Sequence, residues 1–123
     1  MTAGSRSVSS ALVWGLQILV ALVFFAAGTA KLLGASMMVE TFEDIGVGHW
    51  LRYTTGFIEI GSAIALFVPG YAAFGSALLI PTMICASLAH IFIISGSPIP
   101  ALALLTANTI ILWYRRSQIR RLF

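Results

Sequence analysis

The chain has 123 residues, of which 59% are hydrophobic and 9% charged, with a mean hydropathy of +1.00 and a formal net charge of +3. A soluble domain this small leaves much of its surface exposed and could not hide that apolar excess, so lipid must form part of its solvent. The basic balance does not point to nucleic acid. Four of the seven basic residues, Arg115, Arg116, Arg120 and Arg121, fall in the last nine positions behind an apolar run, the place of a juxtamembrane tail that the cytoplasmic leaflet attracts.

The first apolar segment, Ala11–Leu33, follows a polar leader that carries Arg6. Arg6, this stretch and the small residues Gly28, Thr29 and Ala30 loosely resemble a signal peptide with its cleavage site. The stretch is long for an h-region of about 7–15 residues, so an uncleaved first helix is expected. The linker from Gly34 to His49 is the one long connection. Ser36 can cap a short helix, Glu40 suits its first turn and Gly46 its end. Met38, Phe42 and Ile45 recur at helical spacing opposite Glu40, Glu43 and Asp44, a pattern that fits an interfacial helix serving as a lid and equally a solvated loop with a hydrophobic foot.

The second apolar segment, Trp50–Val68, stops at Pro69-Gly70. The third runs from about Tyr71 to Ile94 and ends at Ser95-Gly96-Ser97-Pro98. The fourth, Ile99–Tyr114, ends at the arginines. A span needs about 20 residues, so the fourth is short. Backbone groups in hydrocarbon must be satisfied within their own segment, so each run reads as a helix. The expected fold is all-α: one integral membrane domain over residues 1–123, an up-down four-helix bundle with helices at about 11–33, 50–68, 71–94 and 99–114. The Lys/Arg bias puts both termini in the cytoplasm, in a cell (inner) membrane setting, and the Gly34–His49 linker outside.

Glu59 lies at the centre of the second apolar run, where an acid costs on the order of 2.5–3.5 kcal/mol by insertion scales and calls for a partner or a role. Helical rise places it roughly 13 Å below the outer surface, somewhat deeper than Lys31 and His90. Side chains lean toward the N-terminus of their own helix, which brings Lys31 and His90 down and Glu59 up. A Lys31–Glu59 pair with His90 beside it is therefore expected, and Arg52, seven positions before Glu59, would guard the outer mouth. Lys31, Glu59, His90 and Arg52 form the candidate polar binding cluster.

Close helix approach is expected at Ala26, Ala30, Gly56, Gly61, Ala65, Ala103 and Ala107, and a bend at Pro81. Gln17 and Asn108 would join in an interhelical hydrogen bond. Cys85, the only cysteine, should pack as a small hydrophobe and cannot form an intrachain disulfide. Trp14, Trp50, Tyr53, Trp113 and Tyr114 fall near helix ends as interfacial anchors. No metal-ligand spacing, phosphate loop or nucleophile elbow is present, so no catalytic or metal residue is assigned.

Four features in order carry a family resemblance: the Gly28-Thr29-Ala30-Lys31-Leu32 run, the Phe42…Gly46…Trp50 loop, Arg52-Tyr53-Thr54-Thr55-Gly56 through Glu59, and a histidine late in the third apolar segment. Together, from about Leu12 to Tyr114, they resemble the DoxX-like membrane proteins. That resemblance implies a small four-helix membrane protein in which Lys31, Arg52, Glu59 and His90 are the polar positions of interest. Namesake relatives are associated with thiosulfate:quinone oxidoreductase, and others with membrane redox or thiol-stress complexes. No cofactor is identified from the residues, and quinone is the one the resemblance brings forward. The implied partners are the lipid bilayer and membrane or soluble redox proteins, with a homo-oligomer also open. The leading expectation is a partner subunit or a quinone-like or amphiphile site in a redox-linked assembly. Two alternatives stand beside it: a small proton-coupled transporter, and a purely structural assembly factor whose polar set only locks the helices.

Overall fold

The computed structural model describes residues 3–94 and 96–122, with side chains from residue 8 to 121 apart from Ser95. The side chain of Arg6 and the Ser95 position of the expected outer turn lie outside the described residues. The regular elements of the described chain are all helices, with no strand among the described residues. Its elements are α1 (Ala3–Leu33), α2 (Ser36–Ile45), α3 (His49–Phe67), α4 (Ala72–Phe92), α5 (Ile99–Tyr114) and α6 (Arg116–Leu122).

The first helix begins well before Ala11. Continuing a helix that has already nucleated costs little, and the Ser/Gly leader contains no proline to stop it. Gly34 ends α1 with φ 72°, and the Ala35 amide reaches back to the Ala30 carbonyl at 3.0 Å, a Schellman-type closure that needs a left-handed residue. Gly46 closes α2 in the same backbone region, its amide bonded to the Phe42 carbonyl at 3.1 Å. Two details of α2 differ from expectation. Ser36 is its first helical residue and not its cap, since Ala35 takes the cap position with no side-chain bond, and no acid lies in the first turn.

Four long helices close a ring: α1 packs on α3, α3 on α4, α4 on α5, and α5 returns to α1. Val20, Ala21 and Phe24 of α1, Ala63 and Leu66 of α3, Leu79 of α4 and Ile111 of α5 make the apolar centre. Backbones come closest at glycines. A Cβ on Gly28 would stand 2.7 Å from Ile60 Cγ1 and 2.9 Å from the Gly56 carbonyl, and one on Gly75 would stand 2.7 Å from the Ser62 carbonyl. Of the small residues expected at contacts, Gly56 is one, whereas Gly61 is exposed, and a methyl added there would meet nothing within 4 Å. Ala26 and Ala103 are exposed as well.

Two helices, over Val8–Leu33 and Ala72–Phe92, are long and apolar enough to cross a membrane, and Ile99–Tyr114 is a shorter apolar helix. In α3 the polar residues Arg52, Glu59 and Ser62 are all buried. The α4 helix continues through Pro81, and Thr82 Oγ1 donates to the Leu78 carbonyl at 3.0 Å one turn back. The tail is ordered as α6. Gln118, only 8% exposed, accepts a hydrogen bond from the Ala73 amide at 3.0 Å, so a tail side chain satisfies one of the free amides at the start of α4.

Candidate functional site

The α2 end of the bundle holds a cavity of about 1080 Å³. Its walls come mainly from α2, α3 and α4, among them Met38, Phe42 and Ile45 of α2, Ile58 of α3, and Pro81 and Cys85 of α4. The helical spacing of Met38, Phe42 and Ile45 predicts one face of a lid helix, and that face turns into the cavity while Glu40, Glu43 and Asp44 are exposed. Phe42 is the buried anchor of α2.

Lys31, Glu59 and His90 all line this cavity. Lys31 stands in the last turn of α1, where the carbonyl end of the helix favours a cation. Glu59, midway along α3, is 1% exposed. Lys31 Nζ lies 2.6 Å from Glu59 Oε1. At that distance the ammonium and the carboxylate are in direct ion-pair contact. The Gly28–Gly56 approach positions it, because α1 and α3 must nearly touch for two side chains one turn apart to meet. His90 sits on α4 across the same space, with its Nδ1 3.5 Å from where a Cβ on Gly96 would stand.

Arg52 does not line the cavity. Its guanidinium turns to the end of α1, where Nη1 donates to the Lys31 carbonyl. Its Nε reaches toward His49 Nδ1 at 3.5 Å, and its Cζ lies 4.4 Å from the centre of the Tyr53 ring. The His49 Nε2 atom is in turn 3.8 Å from Glu43 Oε1 on α2. Arg52 therefore closes the backbone of the helix that carries Lys31 instead of guarding a mouth. Glu43 and His49, to which the sequence alone gives no role at the site, face each other across the exposed α2–α3 rim. A charge on the polar face of a lid helix and a histidine three residues before an arginine were the available signals.

Cys85 also departs from expectation, being exposed on the cavity wall. Gln17 and Asn108 do not pair. Gln17 Nε2 donates to the Leu66 carbonyl at 3.1 Å and its Oε1 accepts from Arg115 Nε at 2.9 Å, while Asn108 Nδ2 bonds the Leu104 carbonyl of its own helix. Of the expected anchors, Tyr53 stacks with Arg52, Trp14 and Tyr114 with Arg115, and Trp113 with Arg116.

Residues 15–113 match the family described as the DoxX-like family. The chain belongs to that family. No curated protein and no solved structure matches it. Family membership together with the two long apolar helices makes this DoxX-like chain a membrane protein. Its described residues contain no group of His, Cys, Asp and Glu able to hold a metal, and the lone cysteine provides no dithiol. What the DoxX-like site offers chemically is an ion pair walled by apolar side chains, with an imidazole opposite. An ion pair kept from water is costly unless its geometry is good and further bonds complete it.

Proposed function

We propose that this DoxX-like chain is a multi-pass protein of the inner membrane, with both termini cytoplasmic, and that its cavity receives a quinone-like amphiphile within a redox-linked assembly. The observation that carries the reading is the 2.6 Å Lys31–Glu59 pair at the edge of a 1080 Å³ apolar cavity. Ligand pockets take this form, mostly apolar walls with a few polar groups that fix orientation. Lys31 would donate to a ligand carbonyl, Glu59 would accept from a hydroxyl, and His90 can do either. The α2 face of Met38, Phe42 and Ile45 would cover the apolar body of the ligand. A proton-coupled transporter would use a carboxylate free to exchange with both sides, and the close Lys31 contact favours a ligand site over that alternative.

Cys85 reports on occupancy without any engineered label. In nanodiscs, decylubiquinone should slow the reaction of Cys85 with a membrane-permeant maleimide in the wild-type chain, and Glu59→Gln should lose that protection. Native mass spectrometry from mild detergent should show a retained lipid, quinone or protein partner. Absence of both protection and any retained molecule would reject the reading.

A further inference from the structure

The contacts of α3 change along its length. Near its C-terminus it is pressed on α4, where a Cβ on Gly75 would stand 2.7 Å from the Ser62 carbonyl and 3.1 Å from Ala65 Cβ. In its other half it is pressed on α1, where a Cβ on Gly56 would stand 3.1 Å from the Gly28 carbonyl and 3.0 Å from Leu32 Cγ. A helix pinned in this way parts from α4 toward the α2 end. The cavity fills the resulting wedge, with Leu51, Thr55 and Ile58 of α3 on one wall and α4 on the other.

The outer side of the wedge is open. Leu78, Pro81, Cys85 and Leu88 of α4 line the cavity and are also exposed. Their spacing of three, four and three residues sets them on one stripe of the helix, about 15 Å long at helical rise. Ile58, 36% exposed, borders the same opening from α3. Counting one turn along each helix from the Ser62–Gly75 contact brings Ile58 to the level of Leu78, so these two flank the narrow end of the gap. Because α4 is long and apolar enough to cross a membrane, its exposed stripe meets hydrocarbon. About 15 Å is also the depth of one leaflet in a core about 30 Å thick.

The charged groups lie on the inner side. Glu59 is buried nearly three turns inside α3, and its contact with Lys31 at 2.6 Å cancels the two charges. A charged head group beside them would leave one charge uncompensated away from water, whereas a carbonyl or hydroxyl adds hydrogen bonds and no charge. A phospholipid, whose phosphate stays at the membrane surface, does not suit so deep a polar end.

We propose that the gap between α3 and α4 is a lateral portal to the bilayer, and that the ligand it admits is an amphiphile with an uncharged head and one long apolar tail. The head sits beside Lys31 and Glu59, and the tail leaves between Ile58 and the Leu78–Leu88 stripe. The α2 helix stays over the head throughout, so entry does not require the buried Phe42 to be released. This inference rests on the reading that the cavity receives an amphiphile, and adds the route by which it arrives and the kind of head and tail that fit.

The test uses the full chain in nanodiscs and measures the concentration, per lipid, at which a compound half-protects Cys85 from the membrane-permeant maleimide. Three probes are compared: decylubiquinone, the tailless duroquinone, and decyl sulfate, which has the tail but a charged head. Both quinones should protect the wild-type chain, and decyl sulfate should not. Ile58→Trp, and Leu78→Trp from the other side, narrow the gap at exposed positions where the fold tolerates bulk. Each should raise the half-protecting concentration of decylubiquinone about tenfold and leave that of duroquinone unchanged. Ile64→Trp, on α3 but away from the cavity, should alter neither. Equal loss for both quinones, or no loss for either, would overturn the portal while leaving the cavity as an amphiphile site. Protection by decyl sulfate equal to that by decylubiquinone would overturn the uncharged head. Protection of the wild-type chain by neither quinone would reject the cavity reading itself and the portal with it.

Discussion

Glu59 and Lys31 stabilise each other only as a pair. Removing one partner of a buried ion pair strands the other charge, so Glu59→Gln and Lys31→Met should each lower stability by about 3–5 kcal/mol, while the double variant should regain most of it. Resistance to unfolding in graded detergent mixtures measures this. The double variant also separates site from scaffold, because a stable bundle that no longer protects Cys85 has lost a binding function and not its fold. The two residues stand out in the sequence because a charge inside an apolar run has no cheap explanation. Arg52 is equally visible, yet its i to i+7 relation to Glu59 sets only its face of α3. Which group its guanidinium reaches depends on where α1 ends, and that end is fixed by the left-handed turn at Gly34.

At the level of helices, α1 and α3 are held by the Gly28–Gly56 approach, and the ion pair inherits its geometry from it. Gly28→Val should push the helices apart, since even a Cβ would lie 2.7 Å from Ile60 and 2.9 Å from the Gly56 carbonyl. Overpacking of this kind costs about 1–3 kcal/mol or more. Gly61→Ala is the matched control. The added methyl would meet nothing within 4 Å, and the gain in helix propensity of up to about 1 kcal/mol should leave stability equal or slightly higher. The α2 helix is held by the buried Phe42, while Glu43 and His49 stand 3.8 Å apart at the exposed rim. Phe42→Ala should loosen it and speed maleimide labelling of Cys85 several-fold, whereas Glu43→Gln, removing an exposed pair worth about 0–1 kcal/mol, should change the labelling little. The existence of α2 and its apolar face are legible from the i, i+4, i+7 spacing of Met38, Phe42 and Ile45. Its start is not, because the backbone at Ala35 takes the cap position without help from a side chain.

At the scale of the whole molecule, the formal charges are segregated. Glu40, Glu43 and Asp44 sit on α2, while Arg115, Arg116, Arg120 and Arg121 gather at the other end around α6. If all four long helices cross the bilayer with the arginines inside, tags on both termini should be cleaved by protease added to inverted vesicles and spared in intact cells. A split result, with one terminus protected, would remove one crossing from the arrangement. Residue types and their order along the chain were enough to determine an all-helical membrane protein, the approximate extent of its helices, and the identity of Lys31, Glu59 and His90 as polar residues in need of partners. These features follow from chain-local physics: backbone satisfaction, apolar run length and the cost of charge in lipid. Only the tertiary structure decided that Gln17 bonds the Leu66 carbonyl and Arg115 instead of Asn108, that Gly28 and Gly75 are close-contact glycines while Gly61 is not, and that Cys85 opens onto a cavity. The reason is the solvent. In lipid both the inside and the outside of a helix are apolar, so hydropathy along the chain does not report which face turns inward, and rotation about each helix axis is set by packing against residues far away in sequence.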